Sequence, residues 1–166
     1  SESRCLRSIS GLSTVGRNRR WFLADQEKAK NPHGPESVRL DQFSAADFDR
    51  GTSKFREALW VAFGLPLLAS GAPGSIWRVW LLRLFSAQIG VGTVWKPRVR
   101  VKFPWRLRVG NHSWIGEAVW IDNLAMVDIA DHVCLSQGAY LCTGSHDWRD
   151  PRFALITRPI QIEAKA

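Results

Sequence analysis

Val109–His146 reads VGNHSWIGEAVWIDNLAMVDIADHVCLSQGAYLCTGSH, and its spacing decides the fold. Taken in sixes, Ile115–Trp120 opens on an aliphatic residue, has a small residue second and a small or β-branched one fifth. Ile129–Cys134, Leu135–Tyr140 and Leu141–His146 repeat that form. A period of six belongs to neither an α-helix nor a hairpin sheet. It is the mark of a parallel β-helix, a solenoid of short flat strands. The first residue of each hexad is expected to point into a narrow prism. The second and fifth lie where the chain bends and call for small or β-branched side chains.

Working outward, Ile89–Val94 is a good first hexad, and Trp95, Val101 and Leu107 keep its phase. The phase then slips by two residues to Val109, Ile115, Ile121 and Val127, and again to Ile129, Leu135 and Leu141. Three hexads plus a two-residue corner insertion predict turns of about twenty residues. After His146 the period is lost. Asp147–Arg158 is a predicted inserted loop, and Pro159–Ala166 resumes the coil with Ile162 first and Ala166 fifth.

Residues 52–87 read as two helices, the first from Lys54 to Phe63 with Thr52 or Ser53 as cap. Gly64-Leu65-Pro66 should interrupt it. Ser75 should cap the second, whose predicted apolar face is Ile76, Trp77, Trp80, Leu81, Leu84 and Phe85, with Arg78 and Arg83 set aside. Ala58–Trp77 holds twenty uncharged residues, but its glycines and prolines favour a helical hairpin that caps the coil or lies at a membrane interface over a true span.

Three parts are therefore expected: residues 1–37 as a disordered or non-native extension, 38–88 as a helical segment whose Val38–Phe48 begins the ordered domain, and 89–166 as the β-helix. The extension is rich in Ser, Gly and Arg and lacks the apolar core of a secretory signal. His33 lies in a breaker-rich linker there and reads as an exposed bystander. The chain starts at Ser1 without a methionine, which suggests a fragment or ragged gene ends.

The formal charge of +8 invites a nucleic-acid reading, but no zinc finger, RNP motif or recognition helix accompanies it. Attraction to anionic lipid is the alternative, and the nine tryptophans hint at a partner or interface. Cys5, Cys134 and Cys142 show no ligand spacing, so no metal is expected, and they read as reduced, intracellular, partly buried thiols.

Leu84–Gly90, Val101–Leu107, Ser113–Glu117 and above all Tyr140–Asp147 (YLCTGSHD) closely resemble the colanic acid biosynthesis acetyltransferases. These are hexapeptide-repeat acyltransferases, related to the maltose, galactoside and nodulation-factor O-acetyltransferases. The resemblance spans about Leu40 to Ala166. It implies a mainly β chain folded as a left-handed parallel β-helix, a homotrimer with sites between subunits, and acetyl transfer from acetyl-CoA to a sugar hydroxyl in exopolysaccharide synthesis. It implies His146 as the catalytic base. It also implies further C-terminal coils carrying much of the CoA groove, so residues 1–166 alone are expected to be poorly soluble and nearly inactive.

The chemistry suits the residue type. A sugar hydroxyl must lose its proton as it attacks a thioester, and imidazole titrates near neutrality. Direct transfer needs no acyl-enzyme, so Cys142 reads as structural despite lying four residues from His146. Asp147 could orient the imidazole or bind the acceptor, or be a solvated loop carboxylate. Asn123 is assigned to acceptor binding on the resemblance, its alternative being a polar corner residue. Trp148 could wall the cleft or simply pack the loop. His112 and His132 are placed at or beside outward-facing sixth positions. The rival functions are a non-catalytic β-helix scaffold and a small-sugar or serine acetyltransferase of the same fold. The apolar helices and positive charge suggest a cytoplasmic protein at the inner membrane face.

Overall fold

The computed structural model describes residues 38–166 apart from Ala45 and Asp47. The expectations for residues 1–37, His33 and Cys5 lie outside the described residues.

From Gln88 onward the chain winds into three stacked sheets. The first joins β1 (Gln88–Ile89), β4 (Leu107–Val109), β7 (Val127–Ile129) and β12 (Ile160–Ile162). The second joins β2 (Val94–Trp95), β5 (Trp114–Ile115) and β8 (Cys134–Leu135). The third joins β3 (Arg100–Val101), β6 (Trp120–Asp122) and β9 (Tyr140–Cys142). All pairings within them are parallel. Ile89 lies beside Val109 and Ile129, Trp95 beside Ile115 and Leu135, and Val101 beside Ile121 and Leu141. Each step is twenty residues, the turn length that the phase slips predict. The fold is a left-handed parallel β-helix of the hexapeptide-repeat kind.

Packing explains the hexad, with one refinement. First-position residues such as Ile115, Ile121 and Ile129 are buried in the prism, but so are the fifth-position Val99, Ser113, Val119 and Val133. Both positions therefore contribute to the core. Full burial of each aliphatic side chain contributes roughly 1.5–3 kcal/mol. The second position is small because the next coil passes directly beneath it. A Cβ on Gly110 would lie 2.6 Å from the Ala130 carbonyl carbon. Two corner columns require a positive φ: Gly92, His112 and His132 at one, Arg98, Ala118 and Gly138 at the other. His112 and His132 thus sit at the fourth, corner position of their hexads, not the sixth. Both are exposed, and their rings stack at 5.4 Å.

The helices cap the first coil. Ser53 Oγ accepts the Arg56 N–H and starts α1 (Lys54–Leu59). The expected interruption at Gly64-Leu65-Pro66 does not end it. The chain widens into a π-turn (Trp60–Gly64) and continues as α2 (Leu65–Leu68). The Trp60 indole, fully buried, occupies the place of a Gly64 Cβ and donates to the Val101 carbonyl at 3.1 Å.

The second helix, α3 (Ile76–Leu84), overturns the expected face. Ile76 is 88% exposed and Trp80 68%, while Arg78 is fully buried. The Arg78 guanidinium is caged by the carbonyls of Ser70, Ala72 and Gly74 and lies 4.2 Å over the Trp77 ring. Those carbonyls offset the cost of burying the cation. Leu81 and Leu82, beside Arg78, face the coil in place of Ile76, Trp80 and Leu84. Ser75 does not cap the helix with its side chain. Its Oγ bonds the backbone of Trp95 instead and ties α3 to the second sheet.

Candidate active site

The third corner of the coil, between the third and first sheets, is where successive turns differ. In the first turn it is a tight 3-10 segment, Pro104–Arg106. In the second it runs through Asn123–Met126. In the third the chain leaves at Thr143, forms a hairpin and returns at Pro159. The hairpin pairs β10 (Gly144–His146) antiparallel with β11 (Leu155–Thr157), with His146 opposite Leu155. Ile129 pairs with Ile162, thirty-three residues on instead of twenty.

His146 ends β10 and is half-buried. Its ring stacks face to face on Phe153 at 4.3 Å and meets the edge of Phe43 at 5.3 Å. Nδ1 lies 2.9 Å from the Phe153 carbonyl oxygen. A carbonyl only accepts, so Nδ1 carries the hydrogen and the neutral ring keeps its lone pair on Nε2. Phe153 holds φ +53, a conformation unusual for a bulky residue, and sits in the turn that presents this carbonyl.

Asp147 does not orient the imidazole. Its Oδ1 accepts the Arg149 N–H at 2.9 Å, and its own N–H goes to the Ala154 carbonyl at 2.9 Å. It shapes the turn, and its second carboxylate oxygen has no hydrogen-bond partner among the described residues. Trp148 is 62% exposed, with the Arg149 guanidinium 4.9 Å from its ring centroid.

Asn123 requires a correction. It is fully buried and accepts the Phe103 N–H at 2.9 Å, while its amide donates to the carbonyls of Phe103 at 2.7 Å and Arg106 at 3.0 Å. Both amide hydrogens are used inside the wall, so this side chain staples two coils and is not presented to an acceptor. The polar-corner alternative is the one that holds. Thr143 occupies the equivalent place one turn later, where its Oγ1 accepts the Ala125 N–H.

Cys142 does not pair with His146. Its thiol contacts the Gly144 carbonyl at 3.2 Å. Cys134 and Cys142 are free and exposed, because their positions on flat strands face outward; the expectation of partial burial fails for both. Among the described residues no cluster of three or more His, Cys, Asp and Glu side chains could hold a metal ion.

Two contributors have no signal in the sequence. Phe43 belongs to a strap that crosses the inserted loop, anchored where the Arg39 N–H meets the Pro151 carbonyl at 2.7 Å. The second is the backbone oxygen of Phe153, which no residue type encodes. The strap and β11 also line a cleft of about 500 Å³ with Arg106 and Arg152, but His146 is not part of it. The imidazole instead stands half-buried between Phe153 and Phe43, outside that cleft.

A prism wound from repeated six-residue segments is the architecture of the hexapeptide-repeat acetyltransferases. A crystal structure of such an acetyltransferase from Vibrio cholerae shares it at a TM-score of 0.57 and 28% identity, over 68% of this chain and 66% of that one. The chain is 38% identical over 128 residues to WcaF of Escherichia coli K12 and equally to that of Shigella flexneri, both provisionally named colanic acid biosynthesis acetyltransferases. That match takes in 76% of this chain and 70% of each relative. The chain belongs to this family of acyltransferases. No family model matches it.

Proposed function

We propose that the protein transfers acetyl from acetyl-CoA directly to a sugar hydroxyl of an exopolysaccharide precursor, with His146 as general base. The carrying observation is the Nδ1 contact with the Phe153 carbonyl, which leaves Nε2 as the acceptor nitrogen. Nε2 takes the hydroxyl proton as the sugar oxygen attacks the thioester carbonyl. The new C–O bond forms, the C–S bond breaks, and the proton passes to the departing CoA sulfur. No acyl-enzyme intervenes, in keeping with a Cys142 thiol turned to Gly144. Asp147 and Trp148 flank the base and contact the acceptor.

The protein works as a homotrimer, in which a neighbouring subunit supplies the facing wall. This is supported by the position of His146 outside the cleft of its own chain and by the outward-facing aromatics Trp114 and Tyr140 on the flat sheets. The test is His146→Ala, assayed for CoA release with a sugar acceptor. Loss of turnover with unchanged circular dichroism is expected; full activity would overturn the base assignment.

A further inference from the structure

The α1–α3 cap carries an apolar surface that acetyl transfer does not explain. Phe55, Phe63 and Leu67 are each at least half exposed along α1 and its continuation, as are Ile76, Trp80 and Leu84 along α3. The two helices pack on the same end of the first coil. Trp60 bonds the third sheet and Ser75 the second, while Arg56 Nη2 bonds the Leu84 carbonyl at 3.1 Å and joins the helices to each other. Single exposed apolar residues are ordinary, but six on one cap are not.

Charge decides the kind of partner. Between Lys54 and Ser86, leaving aside the buried Arg78, there are three cations (Lys54, Arg56 and Arg83) and one acid, Glu57, and that acid is already paired with Arg50. Lys54 and Arg83 are exposed beside the apolar side chains, the Arg83 guanidinium also donating to the Ile89 and Gly90 carbonyls. A second copy would bring the same positive charge, whereas an anionic surface complements it.

The loop between the helices adds an independent observation. The loop is exposed, yet the carbonyls of Ala72, Pro73 and Gly74 are tied off internally. Arg78 takes those of Ala72 and Gly74, and the Trp77 indole takes that of Pro73 at 2.9 Å. Arg78 and the Arg98 N–H share the Ser70 carbonyl. Carbonyls satisfied from within lose less on moving to a medium poor in water. No helix among the described residues is long and apolar enough to cross a bilayer. The geometry points to a surface attachment: the α1–α3 cap seats the protein on an anionic lipid bilayer, with Phe63 and Trp80 as apolar anchors and Lys54 and Arg83 at the headgroups.

The test is flotation of the full chain with vesicles of neutral phosphatidylcholine and of phosphatidylcholine with 30% phosphatidylglycerol. Binding to the anionic vesicles, weakened by salt, is expected. Phe63→Glu/Trp80→Glu should cut it about tenfold or more while circular dichroism and sedimentation mass stay unchanged. Lys54→Ser/Arg83→Ser should weaken binding less, by a few-fold. Equal binding to both vesicle types, or none with the cap tryptophans already shielded in the free protein, would overturn the proposal. So would a fall in sedimentation mass in the double Glu variant, which would assign the cap to a second copy or a protein partner. None of these readouts depends on acetyl transfer, so this inference and the proposed reaction fail separately.

Discussion

The same corner of the prism, met twice, shows how one fold serves two ends. At Asn123 the corner is short, and the polar side chain is turned inward, buried and fully bonded to the coil below. One turn later Thr143 closes the wall with its hydroxyl, and the chain then makes a hairpin before resuming. Both corners carry polar residues amid an apolar repeat. Only the lengthened one presents a titratable group to solvent. A polar residue inside the unbroken period satisfies backbone; a polar residue where the period fails is free for chemistry.

The largest effect should fall on the lengthened corner. With His146 in the proposed role of general base, whose removal costs roughly 10²–10⁴ in rate, His146→Ala should lower kcat by that factor and leave unfolding unchanged. A mixed result, with stability and rate both falling, would mean the imidazole is also a packing element between Phe43 and Phe153.

The short corner should give the opposite pattern. Asn123→Ala strands the Phe103 N–H and the Arg106 carbonyl, while the Phe103 carbonyl keeps the Arg106 N–H, and each buried unpaired group costs about 1–3 kcal/mol. A loss of roughly 3 kcal/mol in chemical denaturation is expected, with any residual folded protein keeping its KM for the sugar. Intact stability with a raised KM would restore the acceptor role and break the comparison.

The coil was legible because its constraints are local. A first-position aliphatic, a small second residue and a twenty-residue step follow from stacking one coil on another, so Ile89, Val109 and Ile129 announce themselves. The interruption at His146 was legible for the converse reason, as the place where the constraint stops. The Arg78 face was not. Ile76, Trp80 and Leu84 compete with Leu81 and Leu82 for the same periodicity, and the carbonyl cage that buries the guanidinium exists only once the Ser70–Gly74 loop is folded. Asn123 was misread because a corner amide and an acceptor-binding amide look alike in one dimension. Phe43 reaches His146 from more than a hundred residues away, with no spacing to betray it.

That long-range contact supplies the third, smaller effect. The edge of Phe43 meets the His146 ring at 5.3 Å while Phe153 holds its face and its Nδ1. An edge-to-face pair is worth about 0.5–1.5 kcal/mol, so Phe43→Ala should lower kcat by roughly three- to tenfold. The variant should retain its fold and its KM. A loss as large as that of His146→Ala would place the strap inside the reaction; no change would leave Phe153 as the sole support of the ring.

The smallest effect belongs to a corner that stays regular in every turn, that of Asn111 and Asp131. The Asn111 N–H donates to Asp131 Oδ1 at 2.6 Å, and with the Asn111 amide and the nearby His132 and His112 it holds the Asp131 carboxyl below its ordinary value, against a smaller opposing effect of burial. A depressed folded pKa stabilises the native state above the unfolded value, about 4 for aspartate, and that contribution drains away as pH falls through the folded value. Asp131 is exposed, so salt should shrink the effect. Urea midpoints taken from pH 6 down to pH 3 should therefore fall less steeply in Asp131→Asn than in the parent. The gap between them should narrow at high salt. An identical acid-side slope would show that the carboxylate ladder adds nothing to this corner, and that backbone stacking alone holds the regular turns together.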